Sequence, residues 1–345
     1  VVLLRGDMDA LPVSERTGVE YASRHPGAMH ACGHDLHTAG LVGAAKLLAA
    51  RAAQLPGDVV FMFQPGEEGF NGAGHMIEEG VLEAAGRPVE AAYGLHVMSS
   101  LYRRGVFHCR PGPLMAASAG LFVTVTGAGG HGSAPHRALD PVPVACELVT
   151  ALQTLVTRRF DVFDPVVVTV GSFHAGTRRN IIPDEATFEA TLRAFSDRTL
   201  ERLGEEAVRL CQRLAAGYGL TVEARYEPEY PVTANDPVEY EFVADTVREV
   251  FGEERFGRLA DPITGAEDFS RVLARVPGAF VFLGATCADD PDDAPSNHSP
   301  LAAFDDSVLP DAAALLAELA VRRLSWTAPV PAPRAPREEP AERSG

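Results

Sequence analysis

Positive charge is the first thing this 345-residue sequence is short of. Its 30 Lys and Arg stand against 47 Asp and Glu, a formal charge of −17 at pH 7. Nucleic-acid binding rests on basic patches that neutralise phosphates, so no nucleic-acid partner is expected. An anionic ligand would need local cations, from a metal or from Arg. Cysteine is sparse too: five, odd in number and scattered at Cys32, Cys109, Cys146, Cys211 and Cys287. That scatter builds no disulfide framework and suits a reducing compartment, so a cytoplasmic location is expected. No apolar run is long enough to span a bilayer, and no membrane partner is expected. No signal peptide is visible. The chain opens at Val1, without Met and directly in a strand-like run, and so reads as a fragment truncated at its N-terminus, with a removed leader left open. What is present is ordinary in bulk: 46% hydrophobic residues, and a length suited to about two domains with real cores.

The densest chemistry lies in Met29 to Thr38, which holds His30, Cys32, His34, Asp35 and His37. Thiolate, imidazole and carboxylate together suit a borderline-soft divalent metal. Cys32 and His34 are two apart, and in an extended segment both would face one ion. The competing reading is a buried Cys beside helix-capping polar residues. Leu41 to Ala53, rich in Ala and Leu, is expected to be helical. Val1 to Leu4 and Val59 to Phe63 read as strands buried on both faces, as in a parallel sheet, and Ala91 to Val97 as a third strand. α/β sheets place their sites at the C-terminal ends of such strands. The first run ends in Asp7 and Asp9, which suit ligands, orienters of ligands, or a plain turn. The second ends in Gln64-Pro65-Gly66-Glu67-Glu68-Gly69. Of two adjacent carboxylates there, one can bind metal while its neighbour serves as general base. His96 lies near the end of the third. Glu78 and Glu79 end a helical pattern and read as exposed surface.

From Ser118 to about Pro228 the pattern becomes alternating, with Leu121, Val123 and Val125 set against Thr124 and Thr126. Helical spacing follows at Val144, Leu148, Leu152 and Leu155, and again at Leu200, Leu203, Leu210 and Leu214. Strands are expected over Val166 to Phe173, Ala186 to Phe195 and Leu220 to Tyr226. The order β-α-β-β-α-β is that of a ferredoxin-like sandwich. Beyond it come a helix over Val238 to Phe251, a buried strand over Ala279 to Gly284, a polar loop at Ser296 to Pro300 and a helix over Pro310 to Leu324. The expected organisation is a discontinuous catalytic domain, residues 1–117 and 229–325, of α/β class with a mixed, mostly parallel sheet flanked by helices. Residues 118–228 form an inserted ferredoxin-like α+β lid or dimerisation domain, and 326–345 a disordered tail rich in Pro, Arg and Glu.

Within the insert, Gly127 to Gly132 matches the dinucleotide fingerprint G-x-G-x-x-G. Pro135 follows and the helix starts only near Asp140, so nucleotide binding is not expected. The stretch reads instead as a mobile loop carrying His131 and His136, its glycines opening conformations closed to other residues. A serine hydrolase through Ser133 and His136 lacks the G-x-S-x-G elbow. A zinc nucleobase deaminase lacks H-x-E with P-C-x-x-C.

Seven stretches can be taken together: Asp7-Met8-Asp9-Ala10-Leu11-Pro12, His30-Ala31-Cys32-Gly33-His34-Asp35, Gln64-Pro65-Gly66-Glu67-Glu68-Gly69, Gly94-Leu95-His96, Arg179-Asn180-Ile181-Ile182-Pro183, Gly265-Ala266-Glu267-Asp268-Phe269 and Asn297-His298-Ser299-Pro300. In this order they resemble the M20 metallopeptidase family, and within it the amidohydrolases of N-acyl amino acids, hippurate and auxin conjugates. The resemblance covers nearly the whole chain except the tail. It implies a zinc-peptidase-like fold, a homodimer through residues 118–228, and hydrolysis of a small amide by metal-activated water. Two divalent ions are implied, Mn²⁺ or Zn²⁺ first, with Co²⁺ or Ni²⁺ as alternatives. Their implied ligands are Cys32, His34, Glu68, His96 and His298, with Cys32 bridging, and Glu67 is the implied general base. Asp9 matches a residue that orients a ligand imidazole. Asp7 stands where other branches place a ligand His and is left out of the set. His131 matches a His that reaches into the partner subunit's site to stabilise the oxyanion. Asn180 and Arg193 match contacts to the substrate carboxylate, and Gly265 a backbone contact to substrate. On the strand of Arg193, Phe188, Ala190 and Leu192 face one way and Glu189, Thr191 and Arg193 the other. Family members carry a further helix and strand before Asp7. The alternative expectation is therefore a truncated, weakly catalytic metal-binding homologue with a scaffolding role. Intact Glu67 beside Glu68 argues against it, because metal binding alone needs no base.

Overall fold

The first half of the chain is built around β1 (Val2–Asp7), whose alternate residues feed two cores. Val2 and Leu4 pack with Leu41, Leu48 and Leu316 on one face, and Val1 and Leu3 with Met62, Ile77 and Phe282 on the other. A strand apolar on both faces needs helices on both. α1 (His34–Ala49) covers the first face and α2 (Gly72–Glu78) the second. β2 (Val59–Gln64) and the wholly buried β3 (Ala91–Met98) flank β1, both parallel to it. This computed structural model describes residues 1–326, so from residue 327 on the expected tail lies outside the described residues.

Two expectations change here. β2 is the edge of its sheet, and Val59, Phe61 and Phe63 are only partly covered; an apolar run marks a strand without fixing its place in the sheet. α1 starts at His34 rather than near Leu41, so His34 and His37 ride on its first turn.

After the short β4 (Phe107–Cys109) and β5 (Gly112–Met115), the chain crosses at Ala116 into a second sheet. Its long strands are β6 (Ala117–Thr126), β8 (Val166–Ala175), β10 (Glu185–Ala194) and β11 (Thr221–Tyr230), antiparallel in the order β11-β6-β10-β8. Between them lie β7 (Gly130–His131) and β9 (Ile181–Ile182), paired with each other. α3 (Pro141–Arg159) starts on an Asp140 cap with Pro in its first turn, and α4 (Asp197–Gly217) on a Ser196 cap. Both helices cover the face carrying Leu121, Val123, Phe188 and Leu192. Glu189, Thr191 and Arg193 lie on the other face.

The chain returns after Tyr230 through β12 (Thr233–Asn235), which pairs with β5, and α5 (Pro237–Phe251). β13 (Phe256–Arg258), α6 (Ser270–Leu273), β14 (Gly278–Gly284) and α7 (Leu309–Leu324) complete the first sheet, in the order β13-β4-β14-β3-β1-β2. Every pair in it is parallel except β14 with β4. Among the described residues no helix is long and apolar enough to cross a membrane.

Candidate metal centre

The polar ends of β1, β2 and β3 meet the start of α1 and the loop after β14 at the C-terminal edge of the parallel sheet. Cys32 and His34 do converge, though not along an extended segment. Gly33 between them is left-handed, at φ 83°, and caps α1. A Cβ on Gly33 would lie 2.4 Å from a methyl of Val97. Backbone conformation and close approach both demand glycine here.

Around Cys32 the donors fall into two sets. Cys32, His34 and His96 offer donor atoms within 4.8 Å of one another, and so do Cys32, Glu68 and His298. Cys32 Sγ lies 3.4 Å from His96 Nε2 and 3.3 Å from His298 Nε2. His298 Nε2 lies 3.2 Å from Glu68 Oε1. The five expected ligands are thus in one place, with Cys32 common to both sets. His96 donates its Nδ1 proton to the Val97 carbonyl at 2.8 Å, which leaves Nε2 bare on the Cys32 side. His298 sits at φ 71°, a strained position for a residue with a side chain.

The partners of these donors are themselves held. Asp9 approaches His34 Nδ1 at 3.3 Å and accepts the Glu68 N–H at 2.9 Å, tying two donor segments together. Asn297 accepts the Ser99 N–H and donates to the carbonyls of Cys32 and Val97. His37 accepts the Val97 N–H on Nε2, so its Nδ1 carries the proton and donates to Asp7. Asp7 also lies 3.3 Å from His34 Nε2.

Beneath the donors runs a buried ionic cluster centred on Arg5. Its guanidinium contacts Asp7 at 2.9 Å, Glu267 at 2.7 Å and Asp268 at 3.2 Å, and bonds Gln64 at 2.9 Å. Phe269 and Phe280 flank it. Glu67 joins this cluster to the donors: its carboxyl lies within 4.8 Å of Glu267 and Asp268, and within 4.8 Å of His34 and Glu68. Burial, with Glu267 beside it, pushes the Glu67 carboxyl well above the usual range, and Arg5 opposes this. Burial also lifts Glu267 to about 8. Burial alone would lower His34, but Asp7 and the Asp9 hydrogen bond outweigh it and raise it to about 9. Burial and the neighbouring Glu68 and Glu67 raise the Cys32 thiol well above its ordinary value.

The residues fit a bound cation on three observations. His34 Nε2 and Glu68 Oε1 are shut off from solvent and make no well-aligned hydrogen bond, each facing only a charged neighbour, Asp7 and His298. The donor set mixes sulfur, nitrogen and oxygen as divalent transition ions require. A thiol surrounded by carboxylates becomes a thiolate only beside a concentrated positive charge.

The remaining expected residues lie outside this cluster. His131 and Asn180 are exposed and neighbours of each other in the second sheet's distal loops, where the Asn180 carbonyl accepts the Gly132 N–H at 2.9 Å. The Ser133 N–H donates to His131 Nδ1 at 3.2 Å, so a neutral His131 carries its proton on Nε2, pointing away. Ser133 therefore pairs with His131, not with His136, which removes the serine-hydrolase pair. The loop is pinned, not free: β7 pairs with β9, and Asp184 accepts the Gly129 N–H at 2.7 Å. Gly127 and Gly129 serve close approach instead of unusual φ; a Cβ would lie 2.0 Å from the Leu139 carbonyl oxygen and 2.6 Å from that of Ile182. Arg193 is half-buried, and its Nη1 has no partner. Gly265 lies beside the cluster, its carbonyl accepting the Ala116 N–H at 2.9 Å.

The sequence reading assigned no role to Arg5, His37, Gln64, Glu267, Asp268 or Asn297. The signals were present: an Arg closing an apolar strand, a third His one turn beyond His34, and an acidic pair before Phe269.

The profile described as Peptidase family M20/M25/M40 matches residues 3–322. Thermostable carboxypeptidase 2 of Saccharolobus solfataricus is 38% identical over 324 residues, which is 93% of this chain and 80% of that one. An IAA-amino acid hydrolase of Arabidopsis thaliana is 39% identical over 328 residues, 94% of this chain and 73% of its own. Among solved structures, a dinuclear metal-binding peptidase of the M20 family from Bacillus subtilis matches with a TM-score of 0.78 and 33% identity, over 94% of this chain and 81% of that one.

Proposed function

The chain belongs to Peptidase family M20/M25/M40 and is a metal-dependent hydrolase of amide bonds, and from that premise we propose that its substrates are N-acyl amino acids and its general base is Glu67. The observation that carries the reading is the division of labour at the end of β2. Glu68 faces Cys32 and His298, while Glu67 stands between the donors and the buried Glu267–Asp268 pair. A carboxyl whose basicity burial has raised, held at the rim of the donor set, is placed to accept a proton.

Two divalent ions, Mn²⁺ or Zn²⁺ first and Co²⁺ or Ni²⁺ next, would supply the Lewis acidity that activates water and polarises the amide carbonyl. The proposed ligands are Cys32, His34, Glu68, His96 and His298. The chain does the rest. Glu67 takes the proton of the attacking water and delivers it to the leaving amine nitrogen. Asp9 holds the His34 ring and the Glu68 main chain together. Arg193, Ser118 and Tyr230 stand in one cross-strand row of the second sheet. In that row the unpartnered Nη1 of Arg193 suits the substrate carboxylate. His131, with Nε2–H free, suits the oxyanion of a second copy's site, with Asn180 beside it contacting that substrate. Gly265 offers its N–H, since its carbonyl is taken. In this reading residues 118–228 are lid and dimerisation domain, and 1–117 with 229–325 the catalytic domain. Five unpaired cysteines support a cytoplasmic location.

The likeness to a carboxypeptidase favours a second reading, in which the scissile bond is a peptide bond next to a free C-terminus. One assay separates them. The metal-loaded protein is offered N-acyl amino acids, blocked dipeptides and free peptides, and released amino acid is measured. The proposal expects release from the N-acyl amino acids, lost on chelation and restored by metal. Cleavage of peptides alone would overturn the assignment of substrate.

A further inference from the structure

The second sheet is joined to the first by only two stretches of chain, at Ala116 and after Tyr230. Tyr230 ends β11, and its side chain leaves the second sheet altogether. The hydroxyl donates to the carbonyl of Glu67 at 2.9 Å and accepts the Asn71 N–H at 3.4 Å. It therefore grips both ends of the loop that carries Glu67 and Glu68. Arg271 holds the phenol ring from its face, 5.9 Å from the centroid, while its own Nη2 donates to the Glu229 carbonyl at 2.6 Å.

That loop needs holding. Gly66, Gly69 and Asn71 are all left-handed, at φ 69°, 86° and 54°. For Asn71 the conformation is unfavourable and persists only when its surroundings enforce it. Within the loop the Gly69 N–H donates to the Glu67 carbonyl at 2.7 Å, and the Gly72 N–H to that of Gly66 at 2.9 Å. Among the described residues, the one side-chain hydroxyl on the Glu67 carbonyl comes from the other sheet.

We infer that Tyr230 is a positioning residue for Glu67: its hydroxyl fixes the base-bearing loop relative to the second sheet, so that the placement of that sheet sets the placement of the base. This rests on Glu67 as general base and adds a residue that acts through it. The consequence is directional. A shift of the second sheet, which carries His131, Asn180 and Arg193, reaches the Glu67 loop through the Tyr230 hydroxyl and its bonds to the Glu67 carbonyl and the Asn71 N–H.

The test is Tyr230→Phe, which keeps the ring and its packing under Arg271 and removes the hydroxyl. With the metal-loaded full chain and an N-acetyl amino acid that the wild type hydrolyses, kcat should fall about tenfold with KM within about twofold, the size of effect expected when the hydroxyl's bonds to the Glu67 carbonyl and the Asn71 N–H are lost. Metal content and thermal midpoint should stay at wild-type values. Amide exchange should accelerate about tenfold at Gly69 and Asn71 and not in α1 or β3. Unchanged kcat, or a fall matched by lost metal or a lowered midpoint, overturns the inference, and so does unchanged exchange at both amides. If the wild type releases no amino acid from any substrate, the functional reading has failed, and the exchange measurement still decides whether Tyr230 holds the loop.

Discussion

Cys32 is the residue on which both donor sets depend, and its chemistry can be read directly. As a thiolate holding metal it should be fully protected from alkylation, and after chelation it should react, more slowly than the exposed thiols because it is buried and its thiol is raised. Exposed Cys146 and Cys287 supply an internal control, since they should label in either state. Equal labelling of Cys32 with and without metal would remove it from the ligand set. Arg5 is the other residue that the site cannot spare. Three carboxylates, Asp7, Glu267 and Asp268, share its charge in a fully buried setting. Arg5→Met should cost about 3–5 kcal/mol in a denaturant titration, because it strands buried charge. A loss below about 1 kcal/mol would mean that Asp7 too is neutral in the native protein and that Arg5 is not its counter-ion.

At the scale of elements, the turn from Cys32 into α1 decides whether the donors meet. Gly33→Ala adds a methyl where the backbone is left-handed and Val97 is 2.4 Å away. It should destabilise by about 2–4 kcal/mol and lower the metal content with it. A Gly33→Ala protein of wild-type stability and full metal content would contradict the geometry of the turn. The sequence shows this element only in part. Its residue types named the chemistry, but spacing alone suggested an extended chain where a left-handed glycine makes the bend. Long strands and amphipathic helices were legible, because period and apolar runs report burial. β4, β5, β7, β9, β12 and β13 were not, since two to four residues carry no period. The sequence assigns no role to Arg5 or His37, because Glu267 and Val97, which hold them, are remote in sequence and only folding brings them together.

At the scale of the whole molecule, the sequence offered an insert of ferredoxin-like order, and the structure has a four-stranded antiparallel sheet with two helices on one face. His131 and Asn180 stand on that sheet's distal loops, outside the donor cluster of their own chain. Their use in catalysis therefore calls for a second copy. Mixing His131→Ala protein with Glu67→Gln protein, each inactive alone, should restore activity once subunits exchange. One site of the mixed dimer then holds an intact Glu67 and the partner's intact imidazole. No recovery, with exchange shown independently, would place His131 in its own chain's site or outside the mechanism.

The central claim, that this chain hydrolyses amides with Glu67 as base, is tested most directly by Glu67→Gln. The amide keeps the shape of the side chain and cannot take a proton. Turnover and bound metal are measured on the same sample. Turnover is expected to fall by at least about 10²-fold while the metal remains bound. Wild-type turnover in the metal-loaded variant would contradict it.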